Sequence, residues 1–201
     1  RGMFYTSGQT LSIGNIGNFT DGYAVNKYKN IKSTGGQGSD NSGNFVDIDA
    51  GLEGIYSGSV EWGDYDNDGD LDIFVGSRVK HGMYPLSDSS YLLENQNGKF
   101  IDVTNERISD VSELKMVNEA IFTDYDNDGD SDLIVVGEWM PITIFENDNS
   151  HFEKITLPKL NDLNGWYQSI KEVDFNNDGD KDYIIGNWVK KISIYNVFWN
   201  V

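Results

Sequence analysis

Three copies of one acidic loop constrain this chain more than any other feature. GDYDNDGDLD at 63–72, TDYDNDGDSD at 123–132 and VDFNNDGDKD at 173–182 share one internal spacing and lie 60 and then 50 residues apart. Self-similarity at such a period marks a repeat architecture, in which each unit buries its apolar face against a neighbour. SVEW, AIFT and SIKEV precede the loops; LDIFVG, SDLIVVG and KDYIIG follow them, with β-branched and aromatic residues filling strand-length windows that end in Gly. Every loop is therefore expected to join two strands.

Between loops a second pair of strand signals follows, YLLEN then GKFIDVT in the first interval and ITIFEN then HFEKIT in the second. A short polar turn separates the members of each pair. That makes about four strands per unit. GNFVDID at 43–49 reads as an earlier copy of the last strand, and ISIYNV at 192–197 as a later copy of the third. Four-stranded units of about 40–50 residues set radially describe a β-propeller, which closes with about 4–8 blades. The expected fold class is thus all-β, with blades of about four antiparallel strands. Three clear units do not close a ring, which predicts an incomplete arc of a larger propeller. Residues 1–42, with GNIGN and TGGQGSDNSG, read as an irregular lead-in or degenerate blade, and 43–201 as three repeats of one propeller domain. The only helix candidate is Ser109–Asn118, where Val111, Leu114 and Val117 recur at helical spacing; it predicts a turn of helix at most.

The loop pattern D-x-[DN]-x-D-G-D-x-D suits a hard cation. Calcium takes about six to eight oxygen ligands and tolerates irregular geometry. In the first loop the side chains of Asp64, Asp66, Asp68 and Asp72 can converge, while Gly69 permits the sharp turn that brings the carbonyl of Asp70 inward. The second offers Asp124, Asp126, Asp128 and Asp132 with the carbonyl of Asp130; the third offers Asp174, Asn176, Asp178 and Asp182 with the carbonyl of Asp180. Asn176 removes one charge, so the third site is expected to bind more weakly. Acidic turns without metal are the plain alternative, since Asp, Asn and Gly favour turns anyway. Threefold recurrence at fixed spacing argues against it. An EF-hand needs Glu at position twelve and flanking helices; here that position is Val75, Val135 and Ile185, and the flanks are strand-like. Magnesium prefers fewer protein ligands, and no His or Cys is near to suit a transition metal. Three Ca2+ sites are expected.

The 33 acidic against 15 basic residues give a net charge of −18, which repels nucleic acid and anionic membrane surfaces. Acidic disordered chains are poor in aromatics, whereas this one has 5 Trp, 11 Tyr and 10 Phe, so it should fold. Without cysteine there is no disulfide framework and no thiolate zinc site. No apolar run approaches a bilayer span, so no membrane insertion is expected.

At the loops the chain resembles the FG-GAP or VCBS-type repeats of integrin-α-like propellers, across about residues 55–188. DIFVGSRVKHGMYPLSDSSYLLENQNGKFIDVT, DLIVVGEWMPITIFEN and the stretch from NGWYQSI to DYIIGN are similar to the ASPIC/UnbV-associated group of cartilage-acidic-protein-like bacterial surface proteins. The resemblance implies calcium at the blade hairpins, export to the cell surface or beyond, and a scaffold for adhesion or for a protein or glycan ligand, with further blades as neighbours. A rival reading is the non-catalytic or substrate-binding part of a propeller-type carbohydrate-active enzyme such as a polysaccharide lyase, for which Arg78, Lys80 and His81 are the only compact basic group. No G-x-S-x-G, H-E-x-x-H or P-loop is present, and carboxylates held by calcium stay ionised, so no catalysis is expected of the loops.

Trp139, Trp166 and Trp188 admit two readings, a sugar-stacking platform or packing between blades. Trp139 and Trp188 follow strands at equivalent positions, which favours packing for them; Trp166 and Tyr167, expected in a loop, are the better ligand candidates.

Overall fold

The computed structural model describes residues 55–155, 164–188 and 193–196, with two short paired strands, β1 (Phe4–Thr6) and β2 (Gln9–Leu11). Apart from these, the expected lead-in at 1–42 and the strand at 43–49 lie outside the described residues.

Strands follow one another as the repeat predicts. The first repeat holds β3 (Gly58–Gly63), β4 (Asp72–Ser77), β5 (Tyr91–Gln96) and β6 (Lys99–Asp102), hydrogen-bonded antiparallel in chain order. The second holds β7 (Met116–Thr123), β8 (Asp132–Met140), β9 (Thr143–Asp148) and β10 (His151–Ile155) in the same order. The third holds β11 (Gly165–Val173), β12 (Asp182–Asn187) and β13 (Ser193–Asn196). Each is an up-and-down antiparallel sheet, the form of a propeller blade.

Both faces of the second sheet are covered, which is why its second strand, β8, reads as an unbroken apolar run. Successive strand residues point to opposite faces. Phe74 therefore joins a core with Leu133, Val135, Phe145 and Phe152 between the first and second sheets. Ile134 and Val136 face the other way, into a core with Ile170, Tyr183 and Ile185 between the second and third. Ile73 and Val75 cover the outer side of the first sheet with Leu93 and Phe100. Along the inner edge β3 lies against β7, and β7 against β11. Gly76 makes the first approach feasible, because a Cβ there would strike Val117.

One feature departs from expectation, and the short helix candidate agrees with it. The second and third sheets are continuous: β8 outlasts β9, and its free end pairs with β11 through Gly165↔Met140 and Trp166↔Glu138, giving one seven-stranded sheet. The helix candidate at Ser109–Asn118 is a single 3-10 turn, Val111–Glu113, after a four-residue helix α1 (Thr104–Arg107), while Met116 to Asn118 already belong to β7. Val111, Leu114 and Val117 share one core, so their spacing reports common burial and not a continuous helix. Among the described residues no helix is long and apolar enough to cross a membrane.

Candidate metal centre

All three acidic loops occupy the same place, between the first and second strands of their sheets. Their turns are made by the same residues. Asn67, Asn127 and Asn177 take left-handed backbone with φ near 60°, and Gly69, Gly129 and Gly179 follow with φ of 93°, 101° and 93°. A residue other than Gly at the second place would be strained.

Internal hydrogen bonds point the carboxylates inward. In the first loop the amides of Asp68, Gly69 and Asp70 donate to Asp66 Oδ1, Asp64 Oδ2 and Asp68 Oδ1 at 3.2, 3.1 and 2.8 Å. The second loop has Asp128 N on Asp124 Oδ1 at 3.1 Å and Asp130 N on Asp128 Oδ1 at 2.9 Å. In the third, Gly179 N donates to Asp174 Oδ2 at 3.2 Å and Asp180 N to Asp178 Oδ1 at 2.9 Å. The final Asp of each loop lies at the foot of the second strand and is buried: Asp72, Asp132 and Asp182 accept from Tyr65, Tyr125 and Phe175 N at 3.3, 2.9 and 2.8 Å.

Carboxylate oxygens of Asp64, Asp66 and Asp72 lie within 4.8 Å of one another, as do those of Asp124, Asp126 and Asp128. Oxygens on opposite sides of one calcium are about 5 Å apart, so each group fits a single ion's shell. Asp68 stands outside the first threesome and Asp132 outside the second. Among the described residues no carboxylate threesome forms at the third loop, where Asn176 Nδ2 instead donates to Asp178 Oδ2 at 2.6 Å.

The electrostatics of these groups suit a cation. Asp64 Oδ1 is shielded from solvent and has no hydrogen-bond partner, a state costly for a charged oxygen. Burial raises the Asp72 carboxyl to about 7, against hydrogen bonds from Asn95 and Tyr65, and Asp66 and Asp68 push it the same way. Asp132 is raised to about 6 by burial, with Asp126 and Asp128 adding to it. Asp66 and Asp126 also lie above the usual carboxylate range, first through burial. Oxygen-only, crowded, partly desolvated donors of this kind fit a hard divalent ion.

The third strands supply a support that the loop pattern alone did not reveal. Asn95 N donates to Asp72 Oδ1 at 2.8 Å, and its side chain donates to Leu71 O at 3.1 Å. Asn147 does the same for Asp132 Oδ1 and Ser131 O at 2.8 and 3.0 Å, and also donates to Tyr65 O of the neighbouring repeat at 2.7 Å. Beside them Glu94 and Glu146 accept from the hydroxyls of Tyr65 and Tyr125 at 3.1 and 3.0 Å. The signal was the Glu-Asn pair shared by YLLEN and TIFEN; the third repeat has Asn196-Val197 instead. First and second loops also touch directly, Asn67 Nδ2 to Asp130 Oδ1 at 3.1 Å.

Other sequence candidates fall elsewhere. Arg78 is committed to Glu138 at 2.6 Å across the first two sheets, and His81 stacks edge-on with Tyr56. Trp166 and Tyr167 are not in a loop but in β11, and Tyr167 is only 2% exposed. Trp139 and Trp188, expected to be packed, are 59% and 76% exposed, and each ring meets Trp166 at a tilt of about 40°.

No curated protein matches the chain. Residues 124–185, from the second acidic loop through the third, match the FG-GAP-like repeat, and over that span the chain carries a repeat of the FG-GAP type.

Proposed function

We propose that the chain is an exported, calcium-binding repeat scaffold of the ASPIC/UnbV-like kind, in which Ca2+ is a structural ion and the outward surfaces bind a protein or glycan. The observation that carries this is the first loop: three converging carboxylates, one with a buried oxygen that lacks any partner. Asp64, Asp66, Asp68, Asp72 and the carbonyl of Asp70 would hold the first ion, with their counterparts at 124–132 and 174–182 for the other two. The bound ion neutralises the crowded carboxylates, and the chain's own residues do the rest. Buried Asp72 and Asp132 tie each loop to the second strand, and Asn95 and Asn147 carry the tie to the third. Filling a loop thereby locks the register of a whole sheet. Export accords with weak sites, whose dissociation constants of about 10⁻⁴–10⁻³ M are met outside cells. A non-catalytic role is supported by the pairing of Arg78 with Glu138, which occupies the guanidinium a lyase site would need.

Thermal unfolding in millimolar calcium, in EGTA and in magnesium tests the proposal. A site at a hundred times its dissociation constant adds about 2.7 kcal/mol to the folded state. A calcium-specific rise of the midpoint is the expected result; equal midpoints in calcium and EGTA would sink the metal reading.

A further inference from the structure

Each sheet turns one face toward the repeat before it and the other toward the repeat after it, and equivalent positions fill these faces from one repeat to the next. Toward the preceding repeat the second sheet presents Leu133, Val135, Phe145 and Phe152, and the third presents Tyr183 and Ile185, all buried against a neighbour. The first sheet's equivalents, Ile73, Val75, Leu93 and Phe100, are buried as well. Toward the following repeat the series breaks. Tyr65 and Tyr125, each one residue after the first Asp of its loop, are 1% and 3% exposed, whereas Phe175 at the same place is 66% exposed. Phe74 and Ile134 are buried, while Ile184 is only half-buried. A Cβ on Gly63 would strike Phe122 and Thr123 is buried against Glu172 and Tyr183, but their counterpart Val173 lies exposed. Among the described residues, every face between repeats is closed except the following face of the third sheet.

We propose that this open face is the docking face for a further acidic-loop repeat of the same polypeptide. Both filled following faces are filled by the next repeat along the chain, and stacked repeats contact their neighbours in just this serial way. A repeat that ends such a stack presents a polar outer face; Val173, Phe175 and Ile184 do not make one. The interface between the first two sheets shows what the incoming repeat must offer. The Tyr65 ring meets that of Phe152 with centroids 5.4 Å apart, and the Tyr65 carbonyl accepts from Asn147 Nδ2 at 2.7 Å. Asn67 Nδ2 donates to Asp130 Oδ1 across the loops at 3.1 Å. The incoming repeat therefore carries bulky apolar residues at alternate positions after its acidic loop and an aromatic residue on its fourth strand to lie on Phe175. It also carries an Asn amide for Phe175 O and an Asp opposite Asn177. A second copy of this chain does not qualify, because the face it would have to offer, that of Ile73, Val75, Leu93 and Phe100, is already buried within the chain.

This goes beyond the scaffold reading and does not depend on the ion. The chain has no cysteine, so a single introduced thiol reports the accessibility of its own position. Phe175→Cys is made in the whole chain, with Thr123→Cys as the closed reference and Trp188→Cys as the open one. Maleimide labelling is timed in millimolar calcium, and circular dichroism verifies the folding of each variant. Phe175→Cys should label about tenfold or more faster than Thr123→Cys, which reacts only through local opening. The Phe175→Cys chain is then extended at its C-terminal end by a copy of residues 97–155, which carry a fourth strand and the complete second sheet. In the extended chain the labelling should slow by about tenfold or more. Leu133→Asp and Phe152→Asp, made in the copied stretch alone, should restore the fast rate. The proposal is overturned if Phe175→Cys in the unextended chain is as slow as Thr123→Cys, or if the copied repeat stays unfolded or leaves the rate unchanged. It is equally overturned if the doubly substituted extension protects as well, or if light scattering shows self-association of the unextended chain that Phe175→Asp abolishes. Failure of the calcium reading shows separately, as an unfolding midpoint indifferent to EGTA.

Discussion

Each loop concentrates its chemistry in one buried residue. Asp72 is shut away from solvent at the foot of β4, yet near neutrality it must share its surroundings with Asp66 and Asp68. Its folded value near 7 stands above its ordinary 3.8, so without cation the folded state binds a proton that the unfolded state releases. Stability from this group is present below about pH 4 and is lost as the pH rises toward 7. Asp132 and Glu61 act in the same direction, both raised first by burial, to about 6 and about 7. In EGTA the unfolding midpoint at pH 8 should therefore lie below that at pH 5 by about 3 °C or more, the shift that about 1 kcal/mol gives in a chain of this size. Calcium should reverse the order, and a midpoint in EGTA that rises with pH would contradict the assignment. The aspartates were legible in the sequence because loop spacing is local. Asn95 and Asn147 were not singled out, since what they do depends on a partner 23 or 15 residues away in the chain.

Strands and their order were legible almost throughout, because alternation, terminal Gly and the acidic turns are all short-range signals. Where two sheets meet, the reading ran out. Equivalent positions in successive repeats suggested that Trp139 and Trp188 pack, but the left-handed turn at Trp139 takes its ring out of the β8 alternation and leaves it exposed. Tyr167, read as a loop residue, is buried because β11 begins two residues earlier, at Gly165. Close approach of β7 to the first sheet is likewise a fact about two elements together. Gly76→Ala should lower stability by about 1–3 kcal/mol, the usual cost of overpacking, because the new methyl meets Val117. Chemical denaturation measures it, and Gly98→Ala, at a turn with open space around it, gives the strain-only comparison.

Among the described residues, the buried clusters between neighbouring sheets hold more apolar residues than the one on the outer side of the first sheet. The largest buried cluster among the described residues lies between the first two sheets, and Arg78 with Glu138 and Asn147 with Tyr65 O cross the same boundary. In stacked repeats such nearest-neighbour terms decide whether units unfold together. Asn147→Ala should therefore cost about 1–3 kcal/mol through the buried groups left unpaired. It should also make the calcium dependence of unfolding shallower, which a calcium titration of the denaturation midpoint reads. An unchanged steepness would show that the loops fill independently. Asn147 gives the wild-type chain a further property. One amide group holds the neighbouring backbone and the foot of its own acidic loop at once, so if the loop takes up a cation, the ionic composition of the surroundings would act as a stiffness control, tightening or slackening two adjacent sheets in a single step.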